Sequence, residues 1–506
     1  MMSTPLMKSP SPETSEDSRN GRTPRIAVIG GGISGLATAY RLQERGLESG
    51  RALEILLLEA SGCTGGIIRT HRRDGFLMEA GPDSFISEKP EAGNLAARLG
   101  ISDHLIETNP EHRRSFIVRE GRLHPVPEGF QLLAPTRFWP FVTTGIFSWR
   151  GKARMALDIL LPRRAAAGNG SDDESLAHFV RRRLGREALE RMAQPMVGGI
   201  YTADPEALSL RATMPRFLEM ERNSRSLIRG MWSASRKLSA QQSGGTSGAR
   251  YSLFLSFDEG MELLVEKLAA RLPPDTIRLK TRVESLSLDR TTEHWRLRLT
   301  SGELLECEAV CLALPAYAAS QLLRETDAEL AAELDAIPYA STATVNLAYK
   351  RADIPHPLDG FGYVSPIIER RNALACTFSS IKFPGRAPEG HCLLRGFVGG
   401  ALQPEMFALD EEAIEGAVRE DLRVLLGIEK PPLFSVVEKW PRSMAQYHLG
   451  HLERVGRIRQ HLTALPSLKL AGNAYTGAGV PDCIRSGEQA AEEIFARLHA
   501  QSPIRH

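Results

Sequence analysis

The chain has 506 residues, 42% of them hydrophobic and 25% charged, and its formal net charge is only +2. That length buries a large core and suggests roughly two or three domains, while the near balance of charge excludes a nucleic-acid binder working through a basic surface. The six cysteines, Cys63, Cys307, Cys311, Cys376, Cys392 and Cys483, form no CxxC pair, so inert thiols in a reducing cytosol are expected rather than a metal site.

Residues 1–23 are rich in Ser and Pro, mix both charge signs and read as a disordered tail. They hold no secretory apolar run, and Glu13, Glu16 and Asp17 argue against an organelle transit peptide, so a cytoplasmic location is expected. The apolar run Ile26 to Ile29 then empties into Gly30-Gly31-Gly32-Ile33-Ser34-Gly35, and Leu36 to Leu42 reads as helix. Strand, glycine turn and helix stand in the order that a dinucleotide site needs. Gly30 permits the sharp turn, Gly32 lets backbone approach a pyrophosphate, and Gly35 lets helix and strand pack closely. The helix N-terminus, with Ser34 in its first turn, supplies unpaired N–H groups to the phosphates. A second strand, Leu53 to Leu58, ends in Glu59-Ala60, and Glu59 is the acceptor expected for ribose hydroxyls.

Behind Glu59 comes a second glycine turn, Gly65-Gly66-Ile67-Ile68-Arg69-Thr70. A nicotinamide enzyme has no need of it. The pattern resembles the extended fingerprint of the FAD-dependent amine oxidase and protoporphyrinogen oxidase superfamily, which implies that Gly65, Gly66 and Arg69 pass under a flavin pyrophosphate and that Arg69 offsets anionic charge. At the far end, the strand Leu468 to Leu470 runs into Ala471-Gly472-Asn473, a turn through Gly477 and Gly479, and a helix from Ile484. In that superfamily such a unit, including Val480, closes around the flavin ring.

Between these ends, residues 111–249 look mainly helical, with helices over Ser175 to Leu184 and Glu187 to Met192 and mobile loops over Ala165 to Asp173 and Gln241 to Gly248. Phe130 to Trp149 is aromatic and apolar, but Pro135 and Pro140 argue against a spanning helix. Buried core or a channel wall is expected there, with contact at a bilayer surface as the second reading. Beyond Tyr251 strands are expected at Thr276 to Leu279, Val283 to Leu288, Trp295 to Leu299 and Ala309 to Leu314.

Internal motifs sharpen the resemblance. Gly81-Pro82-Asp83-Ser84-Phe85, the run Gly198 to Leu210, Gly360 to Val364, Phe383-Pro384-Gly385-Arg386, Trp440-Pro441 with Gln446-Tyr447, and Gly472 to Tyr475 with Gly477, Val480, Pro481 and Asp482 resemble signatures of the protoporphyrinogen oxidase and coproporphyrinogen III oxidase family. The resemblance spans Arg25 to about Leu498. It implies an α/β fold: a discontinuous Rossmann-like FAD domain (24–88, 250–320 and 440–502), a mixed-sheet substrate domain (89–110 and 321–439) and a helical wall (111–249) with candidate membrane contact. One non-covalent FAD per chain is implied, touched by Gly30, Gly31, Gly32, Ser34, Gly35, Glu59, Ala60, Gly65, Gly66, Arg69, Gly81, Pro82, Asp83, Val283, Trp440, Gly472, Asn473 and Val480.

The activity implied is a six-electron, O2-dependent aromatisation of a porphyrinogen in heme biosynthesis, with release of H2O2. Leu347, Val364 and Phe383 are implied to clamp the macrocycle, Gly199 to bring backbone close to it, and Arg69, Asp83 and Lys89 to form a polar rim. No acid–base set is assigned. The Gly81 to Phe85 stretch looks more like bacterial enzymes acting on coproporphyrinogen III, with protoporphyrinogen IX as the second reading. Candidate partners are the porphyrinogen, O2, a membrane surface and a transiently docked chelatase of the same pathway, with the chain as monomer or dimer. An amine oxidase or carotenoid-type desaturase, and a flavin- or porphyrin-binding carrier without turnover, are the alternatives.

Overall fold

The computed structural model describes residues 23–127, 130–131, 134–135, 137–164, 173–233 and 254–500. The tail up to residue 22, residues 165–172 of one expected loop and all of 241–248 lie outside them. One lobe is built on a parallel sheet in the order Ile277–Arg278, Glu54–Leu58, Arg25–Ile29, Ala309–Leu312, Leu468–Leu470. Its strands come from three distant stretches of chain, and they are short, apolar runs because helices cover the sheet. The helix Ile33–Ser49 follows the first strand, and the C-terminal helix Val480–Ala500 packs across it. That crossing is tight: a Cβ on Gly487 would stand 2.3 Å from the Ser34 carbonyl oxygen, and Thr38 Oγ1 donates to the Gly487 carbonyl at 3.1 Å.

The second lobe is a seven-stranded mixed sheet, ordered Phe434–Ala445, Tyr339–Lys350, His391–Gly399, Ala375–Thr377, Gly362–Val364, Phe116–Arg119, Arg122–Pro125. Its pairs are antiparallel except that of Gly362–Val364 with Phe116–Arg119. The helix Glu411–Leu426 covers one face through Ile414, Val418 and Leu422, which share a core with Val345, Leu347 and Tyr349. Across the long strand Tyr339–Lys350 the alternate residues Thr344 and Asn346 face the other lobe. A helical layer over residues 138–233 has its own apolar core, pinned by the fully buried Arg183, whose Nε donates to Asp158 at 2.6 Å. Ser226 and the Ile228 N–H donate to the same carboxylate, so neither buried charge is left unpaired.

Three boundaries differ from those expected. Ala92, Leu95, Ala96 and Leu99 of the helix Glu91–Leu99 are part of the parallel-sheet core, and Leu105–Glu107 pairs with Phe254–Phe257. Residues 89–110 therefore belong physically to the first lobe. Residues 440–445 lie in the edge strand of the mixed sheet, and Phe116–Arg119 with Arg122–Pro125 extend that sheet's opposite edge from within the stretch expected to be helical. The segment from Phe138 carries only the short helix Phe138–Thr143, and among the described residues no helix is long and apolar enough to cross a membrane.

Candidate functional site

The site begins with two glycine turns locked together by backbone. Gly65 N–H donates to the Gly31 carbonyl at 2.8 Å, and Gly32 bridges Gly65 in parallel register. Steric reasons for glycine are explicit here. Gly30 has φ +107°, and a Cβ on it would stand 2.4 Å from the Ala313 carbonyl oxygen; one on Gly35 would stand 1.9 Å from the Gly30 carbonyl. Gly32 is different: a Cβ there would meet nothing within 4 Å. Its glycine is required by neither neighbour nor dihedral, and it is the cap residue of Ile33–Ser49, a helix with no side-chain cap and no acidic residue in its first turn. The N–H groups at this end are thus free to meet an anion.

Glu59 stands at the edge of this cradle. Its Oε2 accepts the Gly31 N–H at 2.6 Å and its Oε1 the Ser61 N–H at 2.7 Å, which fixes the carboxylate beside exposed Ala60. Segment 280–283 runs alongside, since Lys280 and Thr281 N–H groups donate to the Ser61 and Glu59 carbonyls at 2.8 Å, and this places the buried Val283 at the same edge. Ser34 is buried beneath the cradle, where it meets the C-terminal helix. Arg69, on the second turn, has a buried Nε without a partner and lies with Cζ 5.9 Å from the Trp440 ring. A buried guanidinium donor left unpaired beside two open glycine turns fits an anionic, hydrogen-bonding group such as a flavin with its pyrophosphate.

Residues 79–83 join the two lobes. Gly81 lies so close to the second turn that a Cβ would stand 1.8 Å from the Ile67 carbonyl oxygen. Four side chains of the mixed sheet grip the carbonyls here. Asn346 Nδ2 donates to Glu79 at 3.0 Å, Thr344 Oγ1 and Trp440 Nε1 donate to Ala80 at 2.9 Å, and Arg395 donates to Ala80 and, in a short contact, to Gly81, just before Pro82. Only Trp440 was expected among them. Asp83 follows, with Lys382 Nζ 3.0 Å from each of its carboxylate oxygens and Ser84 Oγ donating at 2.6 Å. Burial by itself would raise this carboxyl, but Lys382 and Arg395 outweigh it and hold it well below the usual carboxylate range. Asp83 is thus a structural counter-ion between lobes.

The third part is the C-terminal turn. Gly472 N–H donates to Ser486 Oγ and Asn473 Nδ2 to the Ser443 carbonyl, both at 3.1 Å. Val480 is buried at the start of the last helix. Lys89, expected on a polar rim, reaches across to Asp482, with Nζ 2.6 Å and 2.8 Å from its two oxygens.

The expected clamp residues separate. Gly199 and Val364 come together, since a Cβ on Gly199 would lie 3.8 Å from Val364 Cγ1, and Gly199 is exposed. Leu347 does not join them: it is fully buried in the core beneath the helix Glu411–Leu426, on the sheet face opposite Thr344 and Asn346. Phe383 is 1% exposed, with Lys382 Nζ 5.1 Å and Arg386 Cζ 5.7 Å from its ring centre. Its ring is enclosed by the cations that tie the lobes, because Arg386 itself donates to Ser256 Oγ and to the Phe257 and Asp258 carbonyls.

Residues 33–495 match the family described as flavin-containing amine oxidoreductase. The chain belongs to this family. Its cofactor is accordingly a flavin, which the paired glycine turns and the unpaired Arg69 donor fit. It is 35% identical to coproporphyrinogen III oxidase of Bacillus subtilis, over 94% of this chain and 98% of that protein. It is 29% identical to chloroplastic protoporphyrinogen oxidase of Nicotiana tabacum, over 93% of this chain and 85% of that one. A solved structure from Exiguobacterium, named as a candidate protoporphyrinogen oxidase, superposes with a TM-score of 0.82 at 31% identity, covering 94% of this chain and 99% of the other.

Proposed function

We propose that the protein is an FAD-dependent porphyrinogen oxidase of heme biosynthesis that oxidises coproporphyrinogen III, with protoporphyrinogen IX as the second substrate reading. The observation that carries this is the docking of the second glycine turn on the first through Gly65 and Gly31, combined with relatives of that activity matched over nearly the whole chain. When bound, the flavin would supply the hydride acceptor, each two-electron step taking a C–H hydride and releasing an N–H proton from the macrocycle, so that O2 leaves as H2O2 three times per aromatised ring.

The chain's own residues bind, orient and exclude water. Gly30, Gly31, Gly32, Ser34 and Gly35 offer backbone to the pyrophosphate, Glu59 and Ala60 meet the ribose, and Val283 borders the adenosine end. Gly65, Gly66 and Arg69 pass beneath the flavin phosphates and ring. Gly81, Pro82, Trp440, Gly472, Asn473 and Val480 enclose the ring side, and Asp83 acts there through its ion pairs. A slot walled by Gly199 and Val364 takes the flat face of the macrocycle, and Arg69 and Lys89 stand at its polar edge. Leu347 and Phe383 support the slot as core. The arrangement supplies orientation in a dry enclosure, which is where the rate advantage of a hydride transfer to flavin arises.

The helical layer carries Trp139, Trp149 and Leu160, each more than 70% exposed, and Arg150, Arg163 and Arg164 are exposed in the same stretch of chain. These side chains are read as a peripheral contact for an anionic membrane surface. Oxygen uptake with each porphyrinogen, beside simple amines, tests the catalytic reading. Peroxide formation with a porphyrinogen is expected, and turnover of amines alone would overturn it.

A further inference from the structure

The turn Asn473 to Gly477 links the last parallel strand to the C-terminal helix, and one side chain from the other lobe holds both of its ends. Tyr447 Oη donates to the Asn473 carbonyl at 2.6 Å and accepts the Gly477 N–H at 2.8 Å. Tyr447 comes just after the edge strand Phe434–Ala445 of the mixed sheet. A single hydroxyl therefore spans the lobes and closes a turn. Its ring is 2% exposed and stacks on His451, with centroids 4.1 Å apart and planes within 10°.

His451 completes the clamp. Its Nε2 lies 3.2 Å from the Tyr475 carbonyl oxygen, the middle of the same turn. A carbonyl only accepts, so this nitrogen carries the proton. The stacked pair thus binds positions 473, 475 and 477. The turn has little freedom of its own: Gly477 has φ +149°, and a Cβ on it would stand 2.3 Å from Asp482 Cγ.

We infer that Tyr447, braced by His451, is a positioning residue that fixes the 473–477 turn against the flavin ring and thereby sets how readily the ring is reduced. This rests on the reading of that turn as the flavin-facing one. Two backbone groups next to the ring keep fixed directions only while the hydroxyl ties them. Without it the buried carbonyl and N–H must find other partners or stay unpaired, which displaces the turn.

Tyr447→Phe keeps the stacked ring and deletes only the hydroxyl. The expected result is retained far-UV dichroism and FAD content, an altered visible flavin spectrum and a shifted flavin reduction potential. Anaerobic flavin reduction by coproporphyrinogen III should slow roughly tenfold to a hundredfold, with little change in the substrate concentration needed. Hydrogen exchange of the peptide 472–479 should rise in the same protein. A normal spectrum, potential and reduction rate at full FAD loading would overturn the inference, even if the melting temperature fell. If Tyr447→Phe fails to fold, His451→Phe preserves a stacked ring, removes the bond to Tyr475 and is read by the same criteria. A shifted potential in the variant, with no porphyrinogen able to reduce the wild-type flavin, would leave the positioning role standing and reject the substrate reading instead.

Discussion

The proposed flavin cradle and the proposed substrate slot are built by different means. The cradle is backbone against backbone: Gly31 to Gly65, Gly30 to Ala313, Gly35 to Gly30, Gly81 to Ile67. The slot and the lobe junction are side chain against partner: Asp83 with Lys382 and Arg395, Phe383 between Lys382 and Arg386, Val364 over Gly199. A backbone-built site tolerates one residue type at each contact. A side-chain-built site depends on the charge and shape of each partner group, so single changes there trade stability, charge and activity separately.

The sharpest test of the contrast lies within the cradle. Gly35→Ala forces a methyl to 1.9 Å from a backbone oxygen, and we expect little or no folded protein. Gly32→Ala meets no protein atom within 4 Å, so it should fold with a normal melting temperature and lose FAD affinity alone. Equal behaviour of the two, measured as soluble yield and flavin content, would break the distinction.

At the lobe junction, Asp83→Asn takes from the half-buried Lys382 and the buried Arg395 the carboxylate they share and should cost ~3 kcal/mol. Because the folded carboxyl titrates well below its ordinary value, its contribution is full above the unfolded pKa and fades as pH falls below it. Urea unfolding at neutral and acid pH checks both the size and this sign.

Phe383→Ala should lower stability by ~3–5 kcal/mol, as for a buried core ring, with near-normal flavin reduction in the folded fraction. Gly199→Ala, whose methyl would stand 3.8 Å from Val364 Cγ1, should do the reverse: an unchanged melting temperature and kcat/KM lowered roughly tenfold. A catalytic collapse in Phe383→Ala with an unchanged melting temperature would return that ring to the macrocycle.

The smallest expected effect is a pH dependence. Burial pushes the His451 pKa down to about 4, against ~6.5 when unfolded. Stability from the neutral ring is full above the unfolded value and is lost as pH falls toward the folded one, by about 3 kcal/mol in total. His451→Phe should flatten the fall in melting temperature between neutral pH and pH ~4; an unaltered slope would show that other groups govern it.

What the sequence revealed follows the same division. Gly30, Gly35 and Gly65 were legible as turn glycines because their spacing reports a steric requirement, each having backbone oxygen where a Cβ would stand. So were the strands Arg25–Ile29 and Leu468–Leu470, short apolar runs ending in glycine turns, and Glu54–Leu58, an apolar run ending in Glu59. Leu347 was misjudged for a physical reason: Tyr339–Lys350 is buried on both faces, so no polar alternation reveals which way a side chain points. A register shift between Ala340 and Thr342 further breaks the parity. Thr344, Asn346 and Arg395 were missed because their acceptors lie more than 260 residues away, and residues 89–110 depart from the placement the resemblance implied because Ala92, Leu95, Ala96 and Leu99 pack on the parallel-sheet core, a long-range contact that local sequence does not report.

Under this reading the two lobes meet at a flavin ring so as to oxidise a porphyrinogen. Mixing the FAD-loaded protein anaerobically with coproporphyrinogen III, and separately with protoporphyrinogen IX, while following the visible flavin band, tests it most directly. Rapid bleaching by at least one of them is expected, faster with coproporphyrinogen III, with recovery of the band when O2 is admitted. A flavin that stays oxidised with both, yet is bleached by an amine, would contradict it.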